Sequence, residues 1–140
     1  MTVKAQYDKY AIFLEKLTTR GISELKDFVA EDVIFIDPFH KANGVKEMSK
    51  IFIKLFEKVK NIKFKIGKHA LNGTIVYFNW KLSGSLSGKP WTVEGITRLR
   101  FNKKMQIIEH REYWDAATQV YEQFPFIGPL LRYLRRRIAS

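Results

Sequence analysis

A histidine and a glutamate stand two residues apart in the segment Gln106-Ile107-Ile108-Glu109-His110-Arg111-Glu112-Tyr113-Trp114-Asp115. In an extended chain alternate side chains share a face. Ile108, His110, Glu112 and Trp114 then lie on one side, and Ile107, Glu109, Arg111 and Tyr113 on the other. An ionisable pair set between an isoleucine and a tryptophan is either a buried polar pair or the floor of a pocket. Asp37 is the third such group, at the end of Val33-Ile34-Phe35-Ile36-Asp37, where it shares a face with Val33 and Phe35. Burial in an apolar cavity disfavours the charged form of a carboxylate. Such a group suits general acid or base work, a contribution of typically ~10²–10⁴-fold. Plainer roles exist for each residue. Asp37 precedes Pro38 and could make a local turn bond, and Glu112 could pair with an arginine. Three ionisable groups on one apolar face are costly to leave unpaired. That cost favours a pocket, with Glu112, Asp37 and His110 as its catalytic candidates.

The elements that must position these residues follow from periodicity. Gln6 to Thr19 reads as a helix with an apolar face of Tyr7, Tyr10, Ile12, Phe13, Leu14 and Leu17, stopped at Gly21. Ser23 is placed to cap a short second helix reaching Phe28. The strand Val33 to Asp37 closes at Pro38, and Asn43-Gly44 is a turn. Val45 to Lys60 is an amphipathic helix. Its Met48, Ile51, Phe52, Leu55, Phe56 and Val59 face inward, and Lys46, Lys50, Lys54 and Lys58 form a stripe on the back. Four β segments follow: Ile62 to His69, Ile75 to Ser85, Trp91 to Phe101 and Met105 to Trp114. Asn72-Gly73 is a hairpin turn, Gly88 and Pro90 lie in a loop, and Asn102-Lys103-Lys104 is a turn. Alternation puts Val76, Phe78, Trp80 and Leu82 on the inner face with Trp91, Val93, Gly95, Thr97, Leu99 and Phe101. Phe35, Phe78, Trp80, Trp91 and Trp114 are the expected pocket lining. A bulge in a long strand would swap these faces. Asp115 is placed to cap a helix from Ala116 to Gln123. Pro125, Gly128 and Pro129 break it, and a basic helix runs from Leu130 to Ile138. Helices, then a meander, then a helical tail describe an α+β domain with an antiparallel sheet covered on one face.

Composition narrows the class. The 140 residues fit one domain, and 46% hydrophobic with 14% aromatic residues supply a substantial core. The chain has no cysteine, so disulfides and thiolate metal sites are absent. The N-terminus lacks the apolar core of a signal peptide, and no apolar run approaches the ~20 residues of a membrane span. The expectation is a cytoplasmic protein. Phosphate loops, dinucleotide fingerprints, His-x-x-x-His spacing and nucleophile elbows are all missing. His40, His69 and His110 are scattered, so no metal or other cofactor is expected. The net charge of +11 raises nucleic acid and anionic membranes as partners. The lysine stripe reads most simply as the solvated back of its helix, and the aromatics are not interleaved with basic residues as in a single-strand binding sheet.

The order of elements resembles the nuclear transport factor 2-like superfamily, nearest its SnoaL-like branch. The residues that carry the resemblance are Ala30-Glu31-Asp32-Val33-Ile34-Phe35-Ile36-Asp37-Pro38-Phe39-His40, Gly44, Val93-Glu94-Gly95-Ile96-Thr97 and His110-Arg111-Glu112-Tyr113-Trp114-Asp115. The resemblance spans roughly Tyr7 to Gln123 and implies a cone-like curved sheet wrapped around helices and an apolar pocket. Relatives include ketosteroid isomerases, polyketide cyclases and limonene epoxide hydrolases. Arg111 to Asp115 is similar to the hydrolases' Arg-Asp-Tyr-Phe-Asp strand, whose first acidic residue activates water. Glu112 takes that position, one methylene longer. The hydrolases' Arg-x-Asp pair and the isomerases' pocket tyrosine have no match in the sequence. Other members of the superfamily are non-catalytic, and fold does not settle function.

The expectation is therefore one SnoaL-like domain over residues 1–140, with a core of about 7–123 and a helical extension of about 124–140. It would be a homodimer doing cofactor-free isomerisation or water addition on a small apolar molecule. The alternatives are a non-catalytic ligand-binding or dimeric interaction module, and a binder of anionic surfaces. In the tail, Phe126, Ile127, Leu130, Leu131 and Leu134 are expected to cover the cone mouth or a neighbouring subunit. Arg132, Arg135, Arg136 and Arg137 suit the end of a helix.

Overall fold

The computed structural model describes residues 1–140. Helix α1 spans Val3–Glu15, and the Thr2 hydroxyl caps it by accepting from the Ala5 N–H at 3.0 Å. Tyr7, Tyr10 and Leu14 are its buried residues, at the i, i+3, i+7 spacing of one helix face. The helix both starts and stops earlier than its apolar pattern suggests. It ends at Lys16, so Gly21 is not its stop, and a 3-10 run covers Arg20–Asp27. Ser23 lies inside that run, where its hydroxyl donates to the Arg20 carbonyl instead of capping a helix.

Strand β1 (Val29–Ile36) turns at Pro38 into the short β2 (Lys41–Asn43). Gly44, at φ +95°, redirects the chain into α2 (Val45–Lys58), a conformation that favours glycine. Met48 and Phe52 are buried there, Ile51, Leu55 and Phe56 pack against the core, and Lys46, Lys50, Lys54 and Lys58 are exposed. The expected faces of this helix are those observed. Strands β3 (Val59–Asn72), β4 (Ile75–Leu86), β5 (Lys89–Phe101) and β6 (Ile107–Tyr113) follow as a meander. Gly73 makes the first hairpin turn at φ +62°. The loop expected around Gly88 and Pro90 is instead a tight Ser87-Gly88 turn. Pro90 belongs to β5, opposite Ser85, on a stretch of β5 that β6 does not reach.

The strands form one six-stranded sheet in the order β2-β1-β6-β5-β4-β3. The expected antiparallel sheet is in fact mixed: β1 and β6 run parallel. These two strands come from opposite ends of the chain, so no hairpin fixes their relative direction. On β4 and β5 the inner face is the one alternation gives: Val76, Phe78, Trp80, Leu82, Val93, Thr97, Leu99 and Phe101 are buried. On β6 the alternation fails at its start. Phe101 pairs with Ile107 while Arg100 pairs with Glu109, so Ile108 is a bulge residue. Ile107 is therefore buried, and Ile108 leaves the inner face it was assigned to. Beyond the bulge, His110 returns to the interior opposite Leu99. The outer face is polar: Arg98 and Arg100 both approach the Glu109 carboxylate, and the Arg111 guanidinium lies 5.1 Å from the Tyr113 ring centroid.

Gly95 is required by packing. A Cβ at this position would lie 2.5 Å from Trp80 Cζ2 and 2.8 Å from the Tyr113 carbonyl oxygen. Its absence lets the Trp80 indole cross β5 and donate its Nε1–H to Thr97 Oγ1 at 2.8 Å. Gly95→Ala should therefore destabilise the domain by about 1–3 kcal/mol, as overpacking of a core does. Urea unfolding measures this, and an unchanged midpoint would show that both the Trp80 ring and the Tyr113 carbonyl yield freely.

Asp115 caps α3 (Ala116–Gln119) by accepting from the Ala117 and Thr118 N–H groups. The Thr118 hydroxyl donates to it as well and is the main cause holding the Asp115 carboxyl below its ordinary pKa. The helix expected up to Gln123 breaks at Val120, and a 3-10 turn covers Tyr121–Gln123. The last helix, α4 (Ile127–Ala139), begins three residues before Leu130. Gly128 and Pro129 sit in its first turn, where a missing N–H costs nothing. α4 packs on the Tyr121–Gln123 turn; Phe126 just before it is 93% exposed, Ile127, Leu130 and Leu134 are exposed too, and of the five apolar residues expected to be covered only Leu131 is half-buried. The tail therefore does not cover the mouth of its own cone. No helix is long and apolar enough to cross a membrane.

Candidate functional site

Two elements bring a polar chain of three residues into the apolar interior. α1 supplies Tyr10, which its helical spacing points at the sheet, and β6 supplies His110 and Glu112 from one strand face. The Tyr10 hydroxyl lies 3.0 Å from His110 Nδ1, and His110 Nε2 lies 3.1 Å from Glu112 Oε1. A carboxylate only accepts, so in the neutral imidazole Nε2 carries the proton and donates it to Glu112. Nδ1 is then the acceptor for the Tyr10 O–H. Burial first, and the Glu112 charge second, push the Tyr10 hydroxyl well above its ordinary pKa. It stays protonated and able to donate. His110 is 1% exposed and held between the rings of Tyr10, Phe35 and Phe52.

Glu112 is the member of the chain that reaches open space. Its side chain is 20% exposed, and no arginine pairs with it; the arginines of the outer face take Glu109 instead. Its Oε1 meets His110, and no protein donor meets its Oε2. Two apolar cavities adjoin it. The larger, about 240 Å³, lies between α2 and the sheet and is lined by Phe35, Phe52, Trp80, Trp91 and Trp114 among others. The smaller, about 90 Å³, reaches toward α1 past Phe78 and touches both His110 and Glu112. Phe52, Leu55, Trp80, Leu82 and Glu112 line both. Phe35, Trp91 and Trp114 border the larger space, Phe78 the smaller, and Trp80 both.

Asp37 and Glu112 border the larger cavity, whereas His110 borders only the smaller one. Asp37 is bound up in its own turn. Its Oδ1 accepts from the Phe39 and His40 N–H groups at 2.8 and 2.7 Å and lies 2.9 Å from His40 Nδ1. This is the local turn bond that the Asp-Pro sequence allows. Its consequence is to orient His40, which also borders the larger cavity. Sequence reasoning missed His40 and the polar role of Tyr10. Tyr10 carried one usable signal, since a tyrosine on the buried face of a helix needs a partner for its hydroxyl. Lys54 and Lys58 stand at the rim without an ion-pair partner. No cluster of three or more His, Asp or Glu side chains is placed to hold a metal ion.

A six-stranded open sheet wrapped on helices, with an acid-bearing apolar pocket between them, defines an α+β domain of the nuclear transport factor 2-like kind. The chain belongs to the SnoaL-like domain family, whose model matches residues 11–110. No curated protein matches it. Among solved structures it is similar to a protein of nuclear transport factor 2-like fold and unknown function from Burkholderia pseudomallei. That pair has a TM-score of 0.74 and 12% identity, covering 86% of this chain and 96% of the other. A candidate SnoaL-like polyketide cyclase from Jannaschia gives a TM-score of 0.72 at 16% identity, covering 81% and 88%. A protein with a ketosteroid isomerase-like fold from Catenulispora acidiphila, in complex with trimethylamine, gives 0.70 at 19% identity, covering 84% and 90%. At these identities the likeness is one of fold.

Proposed function

We propose that this protein is a cofactor-independent enzyme that moves protons on a small, largely apolar molecule held in the larger cavity. One observation carries the reading: a carboxylate with one free oxygen faces an aromatic-lined space, and a buried histidine fixes its other oxygen. Glu112 is the base. In an isomerisation of a β,γ-unsaturated ketone its Oε2 takes the proton from the carbon between the carbonyl and the C=C bond. The C–H electron pair forms a new C=C bond to the carbonyl carbon while the C=O π pair moves onto oxygen, and the proton returns to the far carbon of the resulting dienolate as the C=O bond re-forms. In a water addition to an epoxide it takes a proton from water while the water oxygen bonds to a ring carbon, the C–O bond at that carbon breaks, and its electron pair leaves on oxygen as an alkoxide that is then protonated. His40, oriented by Asp37, is the polar group at the rim that meets the developing oxygen charge. His110 is a positioning residue, because both its nitrogens are occupied and it is closed to solvent. A designated cyclase and a designated isomerase of the same fold are consistent with this class of chemistry.

Deuterium exchange separates the two reactions. Cyclic enolisable ketones in D₂O, followed by NMR, report proton abstraction at carbon, and a small aryl epoxide followed by diol release reports water addition. Enzyme-dependent turnover in either assay is expected. Absence of both, with the same ketones shown to bind in the cavity, would make the protein a ligand-binding module.

A further inference from the structure

α4 carries an apolar stripe with no partner. Ile127, Leu130, Leu134 and Ile138 recur at i, i+3, i+7 and i+11 and share one face. All four are exposed, Ile138 to 87%. A different face seats the helix. Arg132 donates to the Glu122 carbonyl, Arg135 Nε lies 2.6 Å from Glu122 Oε1, and Gly128 lets the backbone of the Tyr121–Gln123 turn come close. The stripe is thereby held outward by a fixed seat. Arg136 and Arg137 form no ion pair, and α4 contains no acidic residue.

We infer that α4 docks on an anionic phospholipid surface. Charge complementarity selects this occupant. The chain carries a net charge of +11, so two copies meeting through the stripe, with Arg137 at its edge and Arg136 on the back of the helix, would repel. Nucleic acid would satisfy the arginines and leave four large aliphatic side chains in water. A lipid interface accepts both, because apolar side chains enter the acyl boundary while arginines reach to the headgroups. The surface is also continuous with the cavity. The rings of Phe39 and Tyr121 are 5.8 Å apart and those of Tyr121 and Phe124 6.4 Å, which joins the cavity rim to the start of α4 through exposed aromatics. Lys54 and Lys58 add free ammonium groups at that rim.

Vesicle co-sedimentation of the full chain tests this. Vesicles of phosphatidylcholine and phosphatidylglycerol in equal parts should pellet the protein at low salt, with affinity at least about tenfold above that for pure phosphatidylcholine and falling as salt rises. Leu130→Ser with Leu134→Ser should abolish pelleting, and Arg136→Ala with Arg137→Ala should weaken it and flatten the salt dependence. Both pairs are exposed, so circular dichroism and thermal melting should match the parent. Failure to pellet with the anionic vesicles would overturn the inference. So would undiminished pelleting of the double serine variant, which would mean attraction by charge alone. A dimer in solution that the serine variant dissociates, without vesicle binding, would assign the stripe to a second copy. Tight binding to duplex DNA that prevents vesicle pelleting would assign the arginines to nucleic acid.

Discussion

Glu112→Gln is expected to lower deuterium exchange or epoxide hydration by ~10²–10⁴-fold while leaving the fold intact. The glutamine amide keeps the volume of the side chain, and its oxygen can still accept from His110 Nε2–H, now 3.1 Å from Oε1. What it lacks is an oxygen that takes a proton. Because Glu112 is partly exposed and pairs with no arginine, the change strands no buried opposite charge. The variant should therefore unfold at the midpoint of the parent. Glu112→Asp is the companion. It keeps the base and withdraws it by one methylene, so partial activity is expected, with loss of the His110 contact. Full turnover in the glutamine variant would remove Glu112 from the chemistry and leave the Asp37–His40 pair as the polar group to examine next.

The site was legible in the sequence wherever it depended on local alternation. Period-two patterning placed Trp80 with Phe78 on β4, put Glu112 beside His110 on the inner face of β6, and kept Arg98 and Arg100 outside. What failed was set by contacts between distant parts of the chain. The parallel pairing of β1 with β6 joins segments at least 75 positions apart, such as Phe35 with His110, and no turn residue announces its direction. The Tyr10–His110 bond spans 100 positions and was invisible for the same reason. The bulge at Ile108 has no glycine to mark it; it exists because Phe101 and Ile107 must both face the core. The C-terminal helix was misread because Gly128 and Pro129 look like breakers. One is a seat for close approach, which only the Glu122 backbone against Gly128 makes plain, and the other is a first-turn proline.

The polar chain Tyr10–His110–Glu112 should behave as one unit in stability as well as in function. His110→Leu removes both hydrogen bonds and strands the Tyr10 hydroxyl, which is fully buried, without a partner. An unsatisfied buried group costs about 1–3 kcal/mol, and the lost bond to the partly exposed Glu112 adds about 1 kcal/mol, so a loss of about 2–4 kcal/mol is expected. Glu112 contributes less to that loss, since its partial exposure lets water replace the imidazole. Tyr10→Phe alone should cost about 1 kcal/mol, the usual net worth of one hydrogen bond. The double variant Tyr10→Phe with His110→Leu decides the matter. With both partners apolar, no hydroxyl is stranded, so it should recover about 1–2 kcal/mol relative to His110→Leu alone. Urea unfolding of the four proteins gives the coupling directly. Strict additivity would mean that the 3.0 Å contact carries no energy and that His110 is held by its aromatic neighbours alone. Activity supplies the second readout. His110→Leu leaves Glu112 without its orienting donor, so kcat should fall while KM for a small ketone changes little. A core histidine with no link to the chemistry would leave kcat unmoved in the fraction that remains folded.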